Sequence, residues 1–439
     1  MLSGAGNAIE KRTFVRQYDA RVAGLSTYRR LMRRDLLDVC ALIFIADIVV
    51  GVQSPIFSLF ATSLGASLGT LGLITSVLGL SRLASAVPAG LVSDRFGPKT
   101  VLVAGMVLYA ISFVLYALAP SPGWLVVPRI LQAVAMVSTF PTGIAYIGDV
   151  IEERDRAAAI GIYTAAMGSG FAVGPLIGTW AGSTSGYPAA YVAGAVIAVA
   201  GAVFGAVRLA GKKPASAESK PRRFVDRNAL TLLARHPAIV MACVANIAMT
   251  VSQTGAVFTY FPVYARSVGI GTLTIGTIFA WRALASATGR VPMGPLSSRL
   301  PATWTLALVL LVEAAIDFSM AHTTSPLTLT LLLVLEGIGF GIFLVSSQAA
   351  VSAAGGAESR GAAVGIFWMA GAAGEVIGLV FLGAVAQSMG LIAVFGAVAA
   401  TSLISCVVVV GLRLLAVQNA RQHGRVEVAA GDHAHDSSK

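Results

Sequence analysis

The sequence predicts an all-α membrane protein with twelve transmembrane helices in two six-helix bundles related by pseudo-twofold symmetry. Three observations predict it. Of 439 residues, 56% are hydrophobic and 12% charged, with a mean hydropathy of +0.81, far from a soluble domain. Apolar runs recur between residues 37 and 416, each near the roughly 20 residues that cross a hydrocarbon core. The second half also repeats the first in one register. Strand alternation is absent, so helices rather than a barrel satisfy the backbone in lipid.

Turn and charge signals divide the apolar sequence into segments at 37–60, 68–92, 100–119, 124–149, 157–181, 188–208, 237–264, 273–297, 302–321, 326–352, 361–385 and 391–416. The expected organisation is a basic cytoplasmic tail (1–36), a first bundle (37–210), a cytoplasmic linker (211–236), a second bundle (237–416) and a disordered cytoplasmic tail (417–439). Residues 1–35 are polar and basic, unlike a cleavable signal peptide, so no processing is expected. Cys40, Cys243 and Cys406 all fall in apolar runs without metal spacing and read as packing residues.

The net charge of +11 reflects topology rather than nucleic-acid binding. Arg29, Arg30, Arg33 and Arg34 precede segment 1, Arg95 and Lys99 follow segment 2, and Arg154 and Arg156 follow segment 4. The linker carries Lys212, Lys213, Lys220, Arg222, Arg223 and Arg227; Arg299 and Arg360 follow segments 8 and 10, and Arg413, Arg421 and Arg425 close the chain. The intervening loops hold one basic residue, Arg266. The positive-inside rule then predicts a multi-pass protein of the plasma (inner) membrane with both termini cytoplasmic, and the basic loops add attraction to anionic lipid.

Gly90 and Arg95 match Gly294 and Arg299 at an offset of 204 residues, as do Gln132 and Glu336, RAAAIGIY (156–163) and RGAAVGIF (360–367), and Gly170/Gly174 and Gly374/Gly378. A parallel six-plus-six repeat puts a cavity between the halves near the midplane, the arrangement of an alternating-access machine.

The stretch GLVSDRFGPK (90–99) resembles the signature of the major facilitator superfamily between helices 2 and 3, through Gly90, Asp94, Arg95, Gly97 and Lys99, with Pro98 where the family has a basic residue. Gly90 permits close helix contact and Gly97 a tight turn. The resemblance implies that Asp94 and Arg95 form a latch of the outward-open state; loop charge is the plain alternative. PRILQAVAMVS (128–138) is similar to the family's helix-4 motif in Arg129 and Gln132, with Ala133 replacing a glycine. There the resemblance implies proton coupling at Arg129, against simple snorkelling to the interface. GFAVGPLIGT (170–179) resembles the antiporter motif of drug:proton exporters in Gly170, Gly174, Pro175 and Gly178, with Thr179 in place of the last glycine. Its glycines give a flat packing face, and Pro175 removes a backbone donor.

Ionisable groups at membrane depth cost about 2.5–3.5 kcal/mol each, so each calls for a partner or a role. Asp47 lies midway along segment 1, a helix that the resemblance implies lines the cavity; it is the leading proton carrier, with pairing to Arg82 the alternative. Glu336 is equated with Gln132 by the repeat, and Glu375 in the glycine-rich segment 11 could pair with Arg282. Glu313 and Asp317, one turn apart on segment 9, could mark an oligomer contact or lateral opening, and Arg290 would snorkel or pair with loop groups. The acid excess suits protons and cationic or neutral amphipathic substrates. Asn246, Gln253, Tyr260, Phe261 and Tyr264 on segment 7 could contact a solute or form an interfacial belt.

No Walker, HExxH or GxSxG motif occurs, and the five histidines lie in loops or the tail, so neither an enzyme, a metal nor a cofactor is expected. The expected function is a secondary transporter, a proton-coupled exporter of small organic or drug-like molecules that functions as a monomer in the lipid bilayer. Its partners are the small-molecule substrate and protons. An uptake symporter and a non-transporting sensor or scaffold are the alternatives.

Overall fold

Turn chemistry sets where the helices begin and end. In the computed structural model, residues 33–210, 233, 235–297 and 299–436 are described; the basic tail through residue 32 and the linker at 211–232 lie outside them. The order is α1 (Arg34–Gln53, resumed as Ile56–Ser63), α2 (Leu68–Phe96), α3 (Pro98–Ala117), α4 (Val126–Val150, after a 3₁₀ turn), α5 (Glu153–Ser185) and α6 (Tyr187–Arg208). Then come α7 (Pro237–Thr250, a π-helical stretch Val251–Tyr260, and Phe261–Ser267), α8 (Thr272–Leu296), α9 (Ala302–Met320), α10 (Pro326–Ala354), α11 (Gly356–Met389) and α12 (Leu391–Asp436). No strand occurs among the described residues. Ten of these helices are long and apolar enough to cross a membrane.

The repeat is visible in these starts. α2 and α8, α3 and α9, and α6 and α12 each begin 204 residues apart. So do the positive-φ glycines of equivalent turns, Gly65 with Gly269 and Gly186 with Gly390, where a side chain would be strained. Ser67 caps α2 by accepting from Thr70 N at 3.2 Å, and proline opens α3, α7 and α10, where its missing N–H costs no helical bond.

Three boundaries differ from expectation. Segment 1 breaks at Ser54–Pro55 because Pro55 cannot donate back along the helix. α11 starts at Gly356 rather than residue 361. α12 continues to Asp436 where a disordered tail is expected: residues 412–436 contain no proline and are rich in Ala, Arg and Gln, which favour helix.

Glycine packing welds each half. Gly170, Gly174 and Gly178 of α5 press on the α1 backbone at Phe44, Ile48, Gly51 and Val52, and the equivalent Gly374 and Gly378 of α11 press on Ile247 and Val251 of α7. One apolar core runs through the first bundle and on into the second at the ends of α7, α8, α10, α11 and α12 nearest the α7–α8 and α11–α12 turns. The opposite end of the second bundle holds a separate core around Ile239, Leu310, Phe343 and Phe367. The halves are therefore joined at one end, the turn end, and part toward the other, the linker end.

Candidate functional site

At the turn end, Tyr260 Oη donates to Leu68 O (3.2 Å), Ser58 Oγ to Phe258 O (3.3 Å) and Gly69 N to Gln387 Oε1 (3.2 Å). Gly72 lies against Leu379 and Gly383 so closely that a Cβ there would meet backbone. At the linker end, Val87 and Leu91 of α2, Val291 of α8 and Trp368 and Met369 of α11 are exposed, and Gly161, Gly361 and Gly365 have nothing within 4 Å of a would-be Cβ. The chain is held in a form closed at the turns and open toward the linker. Asp94 and Arg95 are exposed at that open end; Arg95 stacks at 5.4 Å on Phe96, and no ion pair engages either among the described residues.

Of the deep charges all but Arg82 and Arg290 are buried, and their pairing differs from expectation. Asp47 is 6% exposed and accepts from Phe171 N at 3.1 Å, seated against Gly170, whose Cβ would lie 3.0 Å from that of Asp47. Arg82, the alternative partner for Asp47, instead forms an ion pair with Glu375 across the halves. Gly79, one turn before Arg82, makes the room: a Cβ there would sit 2.9 Å from Glu375 Cδ.

Arg282, the expected partner of Glu375, belongs to a triad inside the second bundle. It donates to both oxygens of Glu336 and to Gln253 Oε1, while Gln253 Nε2 donates to Glu336. All three are at most 5% exposed, and the guanidinium lies 4.9 Å from the Phe258 ring centre. The triad sits where the π-helical stretch of α7 turns Gln253 inward; such i→i+5 stretches are uncommon and favour functional positions.

The first bundle carries a parallel arrangement. Gln132, the repeat mate of Glu336, donates to Gln53 of α1 and accepts from Arg129 (3.3 Å) and Tyr116 (3.0 Å). Arg129 stacks 3.7 Å over the Phe57 ring, and no carboxylate pairs with it among the described residues. A glutamine of the first helix in each half thus grips the equivalent residue of the fourth.

Glu313 and Asp317 face inward rather than toward lipid or a second copy. Both are essentially inaccessible, and both meet the Ser252 hydroxyl, at 2.7 Å from Glu313 Oε1 and 3.3 Å from Asp317 Oδ2. Arg290 does not snorkel: it bonds Ser286 at 3.3 Å and reaches to 3.8 Å from the Cβ position of Gly168 on α5. Tyr264 Oη donates to Thr323 O (2.9 Å) and packs on Phe395; Phe261 packs on Phe279 and Asn246 holds Phe367 O (2.8 Å). These side chains of α7 pack in the core or fasten the turn end rather than forming an exposed interfacial belt. An apolar cleft of about 580 Å³ between α2, α3 and α4, lined by Pro88, Val92, Phe96, Ala104 and Val134, holds none of the deep charges.

Residues that sequence reasoning missed are Gln53, Phe57, Tyr116 and Ser252. Only Gln53 had a signal: a polar residue at the end of an apolar run, with Gln253 in the corresponding helix.

The family model Major Facilitator Superfamily matches residues 39–280 and 253–431. Multidrug resistance protein 2 of Bacillus subtilis (strain 168) is 29% identical over 133 residues, 30% of this chain and 33% of that protein. Quinolone resistance protein NorA of Staphylococcus aureus (strain MRSA252) is 26% identical over 136 residues, 31% and 35% of the two chains. The matched part thus spans about a third of the length of these relatives. Among solved structures, the nucleoside transporter NupG superposes with a TM-score of 0.69 at 16% identity, covering 86% of this chain and 98% of its own. A bacterial homolog to the human lysosomal transporter Spinster, inward-facing and occupied, gives 0.71 at 18% identity over 87% and 96%. With two glycine-welded bundles meeting over buried charges, and the family model laid across almost all of both, the chain belongs to the Major Facilitator Superfamily and is a multi-pass membrane protein.

Proposed function

We propose that the protein is a proton-coupled exporter of small organic or drug-like molecules, working as a monomer by alternating access. The observation that carries the reading is the position of Asp47. It sits where the glycine face of the antiporter-like stretch crosses α1, so a proton on its carboxylate acts at the contact between two helices that frame the interface. Proton entry neutralises Asp47 in the outward-facing form, weakens the hold on a cationic substrate and permits return; substrate then reloads from the linker end. The loop charge bias supports a plasma-membrane orientation with that open end and both termini at the cytoplasm. Export is supported by the relatives named for multidrug and quinolone resistance. Arg129, Glu336 and the Asp94–Arg95 latch have supporting roles in this reading, the latch engaging when the linker end closes.

The test is ethidium movement in proteoliposomes under an imposed pH gradient. Antiport predicts dye accumulation against proton flow and its loss in Asp47→Asn, with dye counterflow retained. Dye entering together with protons would mark a symporter, and undiminished drive in Asp47→Asn would remove the carrier role from that residue.

A further inference from the structure

Two flanks join the halves, α2 against α11 and α5 against α8, and the repeat makes each the mate of the other. On the first, Arg82 reaches across to Glu375. The 204-residue register carries Glu375 onto Phe171 and Arg82 onto Ser286. Neither mate is charged, yet the charges stand beside them. Phe171 gives its N–H to Asp47, and Ser286 holds Arg290, one turn further along α8. The Arg290 guanidinium reaches α5 at Gly168, two residues before the Gly170 against which Asp47 is seated. Its Nε is buried without a hydrogen-bond partner, so its bonding capacity is not used up inside its own bundle. Among the described residues, the titratable side chains of Tyr109 on α3 and Tyr163 on α5 also stand near Asp47. Arg208 of α6 is held by Asp38, and Arg129 of α4 is held by Gln132 and Phe57.

We propose that Arg290 is the counter-charge of Asp47, a positioning residue that closes the α5/α8 flank as the Arg82–Glu375 pair closes the α2/α11 flank. The acid is borrowed from α1 because the α5 backbone must stay bare where Gly170 and Gly174 cross it. The turn end is then held by one acid–base contact on each side of the interface. A proton that bonds to an Asp47 oxygen removes the negative charge facing Arg290 and frees that flank alone. This rests on Asp47 as the proton site, but its test does not require transport.

The reporter is a disulfide between Gly69→Cys and Gln387→Cys, whose Cβ atoms would stand 3.4 Å apart, near the about 3.8 Å of a disulfide, in a chain with Cys40, Cys243 and Cys406 replaced by serine. The fraction crosslinked under mild oxidation reads how long the turn end stays closed. At pH 8, Arg290→Gln is expected to lower it at least threefold and Arg290→Lys to retain it. Asp47→Asn should match Arg290→Gln, and the double variant should fall no further. At pH 5 the parent should move toward Arg290→Gln while Asp47→Asn stays unmoved. Only variants eluting as monodisperse protein are scored, and if Arg290→Gln fails that check, Arg290→Lys against Asp47→Asn carries the test. Equal behaviour of Arg290→Lys and Asp47→Asn, or losses that multiply in the double variant, would overturn the pairing. A protein that fails to drive ethidium yet shows this pattern would lose its proposed function and keep the latch.

Discussion

The contact of α1 with α5 can be probed by one substitution made twice on the same helix. A Cβ added at Gly174 would lie 2.5 Å from both Gly51 Cα and Ile48 O, whereas ordinary contact begins near 3.4 Å, so the two helices must part by about 0.9 Å. Backbone faces backbone there, and no flexible side chain can yield. At Gly161, thirteen residues earlier on α5, the added Cβ meets nothing within 4 Å. Alanine gains about 0.8–1.0 kcal/mol of helix propensity over glycine at either place, so the difference between the variants isolates packing. Overpacking a tight contact costs about 1–3 kcal/mol. Gly174→Ala should therefore be less stable than Gly161→Ala by that amount. Parting the helices also stretches the 3.1 Å bond from Phe171 N to Asp47, so any loss of proton-driven transport should accompany the loss of stability. Unfolding by sodium dodecyl sulfate titration in mixed micelles measures both variants on one scale. A difference below about 0.5 kcal/mol, within which surface substitutions usually fall, would refute the claim that this crossing is set by bare backbone.

In the buried triad, either Glu336→Gln or Arg282→Gln leaves one charge unpaired and should cost about 3–5 kcal/mol; Glu336→Gln with Arg282→Met should recover much of the loss, and additive losses in the same titration would show that the triad is not a unit. Ser252→Ala removes the hydroxyl shared by Glu313 and Asp317 and should cost about 1–3 kcal/mol, whereas Glu313→Gln supplies an amide donor to Asp317 and should be neutral or stabilising; the reverse order would contradict the donor count. Phe57→Leu should cost about 0.5–2 kcal/mol through lost cation–π contact with Arg129 and should do so only while Arg129 is present, which a double-mutant cycle with Arg129→Met reads directly.

The helices and their repeat were legible because each crossing carries its own length, apolarity and punctuation. Gly65, Gly186, Gly269 and Gly390 mark turns in sequence and adopt the positive φ in space. The deep charges were legible as a set because their cost in lipid makes them conspicuous. Their pairing was not, since partners are chosen by helix rotation and crossing. Arg82, Asp47 and Glu375 lie at compatible depths, and only the gap left by Gly79 shows that Arg82 meets Glu375. The seat of Glu313 and Asp317 was not legible because the π-helical stretch of α7 is silent in sequence, and it is that stretch which turns Ser252 toward them.

The two kinds of contact would divide the labour of the alternating access proposed above. Within each half, glycines let backbones interlock: Gly170, Gly174 and Gly178 against α1, and Gly289, Gly337 and Gly341 between α8 and α10. Such surfaces cannot slide without clashing, so each half moves as a body. Between the halves the surface is smoother, a strip of Gly69, Gly72 and Gly383 fastened by tyrosine, serine and glutamine tips. The core that the two halves share at the turn end, with Phe171 against Phe258 across the interface, is the dispersion energy that parting them forfeits. Water can replace the hydrogen bonds it breaks. Beside that core the closed form is held by charge at mid-depth, where Arg82 meets Glu375 across the interface, and a charge contact, unlike an apolar one, is a fastening that protonation of its acid weakens.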